Sequence, residues 1–372
     1  MQGPTSRTGA GRTRAGLLFV ALTTVVTVLT VGLSAITAAD RAQAQVQARV
    51  QAQNVTGDRA GFSPGAPFLW DSDAELDRDL DAMAATGARW IRIDFDWPSA
   101  QPTPTTFHWD HIDRVVSAAR ARGLEVLALP GYTPAWARPA GTTDKFPPTN
   151  PIHFATFVGA AAARYTNQGV THWEIWNEPN IKSFWQPSPD VAAYTRLLVA
   201  ASAAIKLVDP TATVMTGGTS PALDQDGGIA PLTFLRGVYD NGGGGAFDAA
   251  AHHPYHFPYA IDAPGDWNAW AAVTPALRQL MVDQGDATKP IWLTEYGAPT
   301  GTSSQAVSEA AQAALVTRAF EELEDWPWAG PLFWYAFRDQ GSNTADRGDN
   351  FGLVRRDFEP KPALSAFTAT MG

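Results

Sequence analysis

From about Gly57 onward, short apolar runs alternate with stretches of helical periodicity to the end of the chain. That alternation leaves few options. Each run suits one strand, and each amphipathic stretch needs an apolar surface to cover, so the strands align in parallel and the helices wrap outside them. Strands are expected within 61–70, 90–95, 125–129, 173–178, 213–215, 247–253, 291–295 and 331–337. Between them, Ser72-Asp73-Ala74-Glu75 has the spacing of a capping box and opens a helix through Leu80, Met83 and Ala84. Asp110 is placed to cap a helix carrying Ile112, Val115, Val116 and Ala119, spaced i, i+3, i+4, i+7. Further helices are expected at 153–165, 191–208, 232–239, 271–284, 304–323 and 362–370. Eight strands and about eight helices, with no internal repeat and no splitting linker, predict an α/β fold: a single (β/α)8 TIM barrel over residues 58–372.

In such a barrel the chemistry sits at the C-terminal ends of the strands. The fourth strand runs into Trp173-Glu174-Ile175-Trp176-Asn177-Glu178-Pro179-Asn180 and must stop at Pro179, which lacks a backbone N–H. Glu178 and Asn177 therefore mark a strand tip crowded by rings. Period two puts Glu174, Trp176 and Glu178 on one face, expected inward, and Arg92 and Asp94 of the second strand also inward. A carboxylate as deep as Glu174 needs a partner, and Arg92 is the candidate. The seventh strand, Ile291-Trp292-Leu293-Thr294-Glu295, ends at Tyr296-Gly297, with Ile291, Leu293 and Glu295 expected inward. Two carboxylates facing each other across a ring suffice to cleave a glycosidic bond: one protonates the leaving oxygen and the other attacks, or activates water at, the sugar carbon. Trp97, Tyr132 and Trp136 fall in loops after the second and third strands and are read as stacking platforms for ligand. His253 is read either as a sugar-hydroxyl contact or as a core hydrogen-bonder.

The stretch 173–180, Glu295 with its flank, and His252-His253-Pro254-Tyr255 resemble the clan A glycoside hydrolases, with family 39 the nearest pattern and family 5 next. Gly87 to Trp97 and Tyr132-Thr133-Pro134-Ala135-Trp136-Ala137 fit the same group, so the likeness covers about 62–367. It implies Glu178 as acid/base and Glu295 as nucleophile of a retaining double displacement on a β-linked oligo- or polysaccharide. It also implies Asn177 at the sugar 2-hydroxyl, Arg92 and Tyr255 beside the nucleophile, and Trp334 beneath the sugar, followed by a cis peptide. A transglycosylase using the same glutamates and a non-catalytic carbohydrate-binding barrel remain as alternatives.

Composition narrows the partners. A net charge of −10 argues against nucleic acid, which needs dense Lys and Arg. The absence of cysteine removes thiolate nucleophiles and Cys-based zinc sites. His252, His253 and His256, like His108 and His111, lack the ligand spacing of a known metal motif, so neither metal nor other cofactor is expected. Arg7, Arg12 and Arg14 precede an uncharged run from Ala15 to Ala39, then the small-x-small Ala42-Gln43-Ala44. Residues 1–44 are read as a signal peptide or an uncleaved membrane anchor, 45–57 as an Ala/Gln-rich linker, and the remainder as secreted or held outside the membrane.

Overall fold

The computed structural model describes residues 57–371. The segments expected as signal or anchor (1–44) and nearly all of the Ala/Gln-rich linker lie outside the described residues. Eight strands follow in order: β1 (Ala60–Phe62), β2 (Trp90–Asp96), β3 (Glu125–Gly131), β4 (His172–Ile175), β5 (Thr213–Thr216), β6 (Ala250–His252), β7 (Ile291–Tyr296) and β8 (Ala329–Trp334). All named pairings are parallel, in the order β5-β4-β3-β2-β1-β8-β7-β6. A parallel bridge from Met215 to Ala249, with the Thr216 amide donating to the Ala249 carbonyl at 3.2 Å, joins the two ends. The result is the (β/α)8 barrel.

The main helices are α1 (Asp73–Ala85), α2 (Asp110–Ala121), α3 (Pro151–Tyr165), α4 (Val191–Val208), α5 (Pro231–Asp240), α6 (Thr274–Asp283), α7 (Glu309–Asp325) and α8 (Pro362–Met371). Their starts follow local chemistry. Ser72 Oγ accepts from the Glu75 amide and the Glu75 carboxylate accepts from the Ser72 amide, both at 3.3 Å, so the capping box of α1 is complete. Asn150 caps α3 ahead of Pro151, whose missing N–H costs nothing in a first turn. Asp110 does not cap α2 as expected: Trp109 holds that place without a side-chain bond, and Asp110 lies in the first turn, where its charge suits the helix dipole.

Two apolar layers result. Outward strand residues such as Ile91, Ile93, Trp173, Ile175, Ile291 and Leu293 pack beneath the helices. Inside the ring, Leu127, Met215, Ala249, Ala251, Trp292 and Phe333, with Trp90 against them, plug the lower barrel. Polar residues lie above this plug, nearer the strands' C-terminal ends.

Three inward assignments, on two strands, fail for identifiable reasons. Ile291 and Leu293 face the helices, and Tyr296 does too, against Trp270 and Trp334. Leu293 and Tyr296 are three residues apart yet on the same side, because the β7–β8 register shifts between them. That extra residue lets both Thr294 and Glu295 turn inward, which strict alternation forbids. On β4 the pleat ends at Ile175, and Trp176 adopts φ 72°, swinging its ring outward onto Trp185 and Phe154.

Candidate active site

Arg92 organises the mouth of the ring. Its Nε donates to Glu174 Oε2 at 2.7 Å, and its Nη2 donates to Glu174 Oε1 at 3.0 Å and to Asn177 Oδ1 at 2.9 Å. Nη1 reaches Ser63 Oγ at 3.3 Å and also donates to Glu295 Oε1. The fork geometry explains why arginine stands here: one planar cation orients three groups from β4 and β7 at once. Glu174 is fully buried, as a structural partner of Arg92 should be. Burial pushes its carboxyl up, but Arg92 and the nearby His253, 3.8 Å away, outweigh that and hold it down at about 2. It also accepts from the Gly218 amide at 2.8 Å and from Thr294 Oγ1 at 3.2 Å.

Glu178 and Glu295 come together. One oxygen of each, with a ring nitrogen of His253, forms a group whose atoms all lie within 4.8 Å of one another. Tyr255 donates its hydroxyl to Glu295 Oε2 at 2.9 Å. The turn that presents Glu178 is strained: Trp176 and Glu178 are non-glycine residues at φ 72° and 41°, flanking Asn177. Such backbone persists only where the surroundings over-determine it. Here the Glu178 amide donates to the Gly218 carbonyl at 3.0 Å, and the Trp176 amide to that of Pro130 at 3.2 Å.

His253 is fully buried and faces carboxylates, not the cleft, so its reading as a sugar contact gives way to the core hydrogen-bonder. Nδ1 lies 3.0 Å from Glu178 Oε1 and Nε2 lies 3.1 Å from Thr294 Oγ1. Burial would push this imidazole down. The charge of Glu295, the nearby Glu174 carboxylate at 3.8 Å and the hydrogen bond to Glu178 reverse that and raise it to about 9, so the ring carries a proton at neutral pH. Glu178, His253 and Glu295 have the spacing to hold a divalent ion, but the proton on His253 competes for the same lone pairs.

The cleft above these groups has a volume of about 760 Å3, and its walls include Arg92, Asn177, Glu178, Tyr255, Glu295 and Tyr132. Asn177 gives Oδ1 to Arg92, and no described residue takes its Nδ2, which leaves that donor for a ligand. Tyr132 is a fixed wall, with Lys145 Nζ 2.9 Å from its ring centroid on one side and Trp176 edge-on at 5.5 Å.

Three expected platforms are elsewhere. Trp97 is fully buried, stacked on Phe157 at 5.5–5.7 Å from its ring neighbours, with Nε1 on Gln101 Oε1. Trp136 packs edge-on against it and tilted against His153, donating to the Gln101 carbonyl. These rings fasten the β2 and β3 loops to α3 instead of facing ligand. Trp334 faces the helix layer beside Tyr296, and the cis peptide falls one residue later, between Tyr335 and Ala336. Tyr335, not Trp334, lines the cleft. Parity would have found it, because Phe333 points into the barrel and the next inward residue is 335. Asp94, Gln340 and Arg347 also line the cleft and were not singled out as site residues. Burial lifts the Asp94 carboxyl to about 6, against the pull of Arg92.

Fold and cleft together define a glycoside hydrolase of clan A, a (β/α)8 enzyme with carboxylates converging at the strands' C-terminal ends. Within that class the chain belongs to the cellulase family, glycosyl hydrolase family 5, whose model matches residues 50–328. It is 25% identical over 287 residues to a beta-xylosidase of Geobacillus stearothermophilus, covering 70% of this chain and 55% of that one, so the chain spans about half the length of this curated relative. The expected likeness to family 39 is present in structure. A family 39 glycoside hydrolase from Bacteroides cellulosilyticus WH2 superposes with a TM-score of 0.70 at 27% identity, covering 85% of this chain and 64% of that one. A GH5_18 structure from Streptomyces cattleya shares the fold, with a TM-score of 0.62 at 19% identity, covering 84% and 80%.

Proposed function

We propose that this glycoside hydrolase cleaves a β-linked sugar from its leaving group with retention of configuration, through a covalent glycosyl-enzyme. Glu295 is the nucleophile. Arg92 and Tyr255 bind its two oxygens, which holds the carboxylate in place until attack. Glu178 is the acid/base: it protonates the leaving oxygen in the first half-reaction and takes a proton from water in the second. Esterification removes the charge of Glu295 between the two steps, and that change favours the switch of Glu178 from acid to base. Asn177 offers its free amide to the sugar hydroxyl beside the reacting carbon, and Tyr132 and Tyr335 bound the sugar.

The observation that carries this reading is the separation of at most 4.8 Å between oxygens of Glu178 and Glu295. Carboxyl groups about 5–5.5 Å apart leave no room for an intervening water and act by double displacement, whereas inverting pairs stand about 6.5–9.5 Å apart. The test is a panel of aryl β-glycosides and polysaccharides, β-xylosides included because of the xylosidase relative, given to wild type, Glu178→Gln and Glu295→Gln. Each substitution is expected to cut turnover by about 10²–10⁴-fold or more. Turnover within about tenfold of wild type in either variant removes its role.

The basic flank and long apolar run at the N-terminus support export, with the catalytic region outside the cytoplasmic membrane. Fractionation of expressing bacteria is expected to place the activity in the medium or on the outer face of the membrane. Activity confined to the cytosol contradicts it.

A further inference from the structure

A second cavity, of about 750 Å3, adjoins the catalytic cleft and shares Ile181, Ser183 and Pro221 with it. We infer that this cavity holds the leaving group, and that the leaving group is apolar: an aryl, alkyl or terpenoid alcohol, not a further sugar. The inference rests on the assignment of Glu178 as the acid.

Position argues first. A proton donor must reach the leaving oxygen, so the group attached to that oxygen departs on the Glu178 side. The shared wall begins three residues beyond Glu178, where the Ile181 amide closes the turn onto the Glu178 carbonyl at 3.2 Å. Asp94, Tyr335, Gln340 and Arg347 line the catalytic cleft but not the second cavity.

The cavity is also tied to that turn by construction. Asn180 is fully buried and spends its whole amide on one wall: Oδ1 accepts from the Ser220 amide at 2.9 Å, and Nδ2 donates to the carbonyls of Ser220 at 2.8 Å and Ile229 at 2.9 Å. The Lys182 amide adds a bond to the Gly227 carbonyl at 2.9 Å. The residue two positions after the acid therefore sets where the 220–229 wall stands. On the opposite side, the wide π turn Ala269–Val273 is held by Asn268, whose Oδ1 accepts from the Trp270 and Ala271 amides. Turns of this kind are common at functional sites.

Chemistry then selects the occupant. The π turn and the start of α6 offer Ala269, Ala272, Val273 and Ala276, small apolar side chains that make room but offer no hydrogen bonds. Leu223, 59% exposed, and Trp267, 48% exposed, face the same space as bulky apolar groups left open to solvent. Lys182, Ser183, Gln225, Asp226 and Asp266 also line the cavity, but apolar surface outweighs polar surface there, so a sugar would set much of its hydroxyl surface against walls that offer no partner, at a cost. An apolar alcohol loses nothing there and removes the exposed ring and leucine from water.

The experiment uses methyl, butyl and hexyl β-glycosides of whichever sugar the aryl panel shows to be cleaved, since these alcohols differ little in acidity. In wild type, kcat/KM is expected to rise up to about fourfold per methylene that enters the cavity. In Trp267→Ala and Ala272→Asp the rise flattens while the methyl glycoside is cleaved as by wild type. Should Ala272→Asp fail to fold, Trp267→Ala alone decides. Equal kcat/KM for methyl and hexyl glycosides in wild type overturns the inference and leaves the glycosidase intact. Absence of turnover on every glycoside overturns both.

Discussion

His253 shows how one side chain can link folding to the site. It is fully buried, with the carboxylates of Glu174, Glu178 and Glu295 at 3.0–3.8 Å. Burial opposes its charge, yet those carboxylates raise it from an ordinary 6.5 to about 9. The sign follows directly. A base whose pKa is higher in the folded state stabilises that state fully below its unfolded value and loses the contribution as pH rises through the folded value. The difference in unfolding free energy between wild type and His253→Asn, read from denaturant melts, is therefore expected to be largest below about pH 6.5 and to shrink steadily toward pH 9. A difference independent of pH across that range contradicts a protonated His253.

At the scale of elements, strand ends set the site more than loops do. The end of β5 does so through glycine. The Gly218 amide donates to Glu174, its carbonyl accepts from the Glu178 amide, and a Cβ at Gly218 would stand 2.1 Å from His253 Nε2 and 2.8 Å from Thr294 Oγ1. Gly218→Ala must displace His253 or the strand end. It is expected to lower kcat on the order of 10²-fold, the usual penalty of an ångström's misplacement, in a protein that still folds by circular dichroism. Wild-type kcat in that variant would show that β5 does not hold Glu178 in place. What could be read from residues alone divides along the same line. Glu178 and Glu295 are legible because a proline and a glycine flank the ends of apolar runs, and the Arg92–Glu174 pair because a buried charge demands a partner. Trp176 and the neighbours of Glu295 are misread because alternation assumes an unbroken pleat, and a left-handed residue and a bulge break it. Trp97 and Trp136 are misread because whether a loop ring meets core or ligand depends on where α3 packs, which no local pattern records.

Over the whole molecule, the barrel converts separation along the chain into proximity. Residues 178 and 295 are carried by β4 and β7, and Arg92 on β2 reaches both of their neighbourhoods through the centre of the ring. The plug of Trp90, Trp292 and Phe333 closes the ring below, so the polar layer rests on a packed floor and opens only at the strands' C-terminal ends. That spacing, set by the ring together with the strained turn that presents Glu178, is what decides between the two stereochemical courses. Proton NMR of the first product formed from an aryl β-glycoside, recorded before mutarotation, tests it directly. The geometry predicts the β anomer appearing first and the α anomer growing in later; an α anomer formed first would contradict the double displacement at its root.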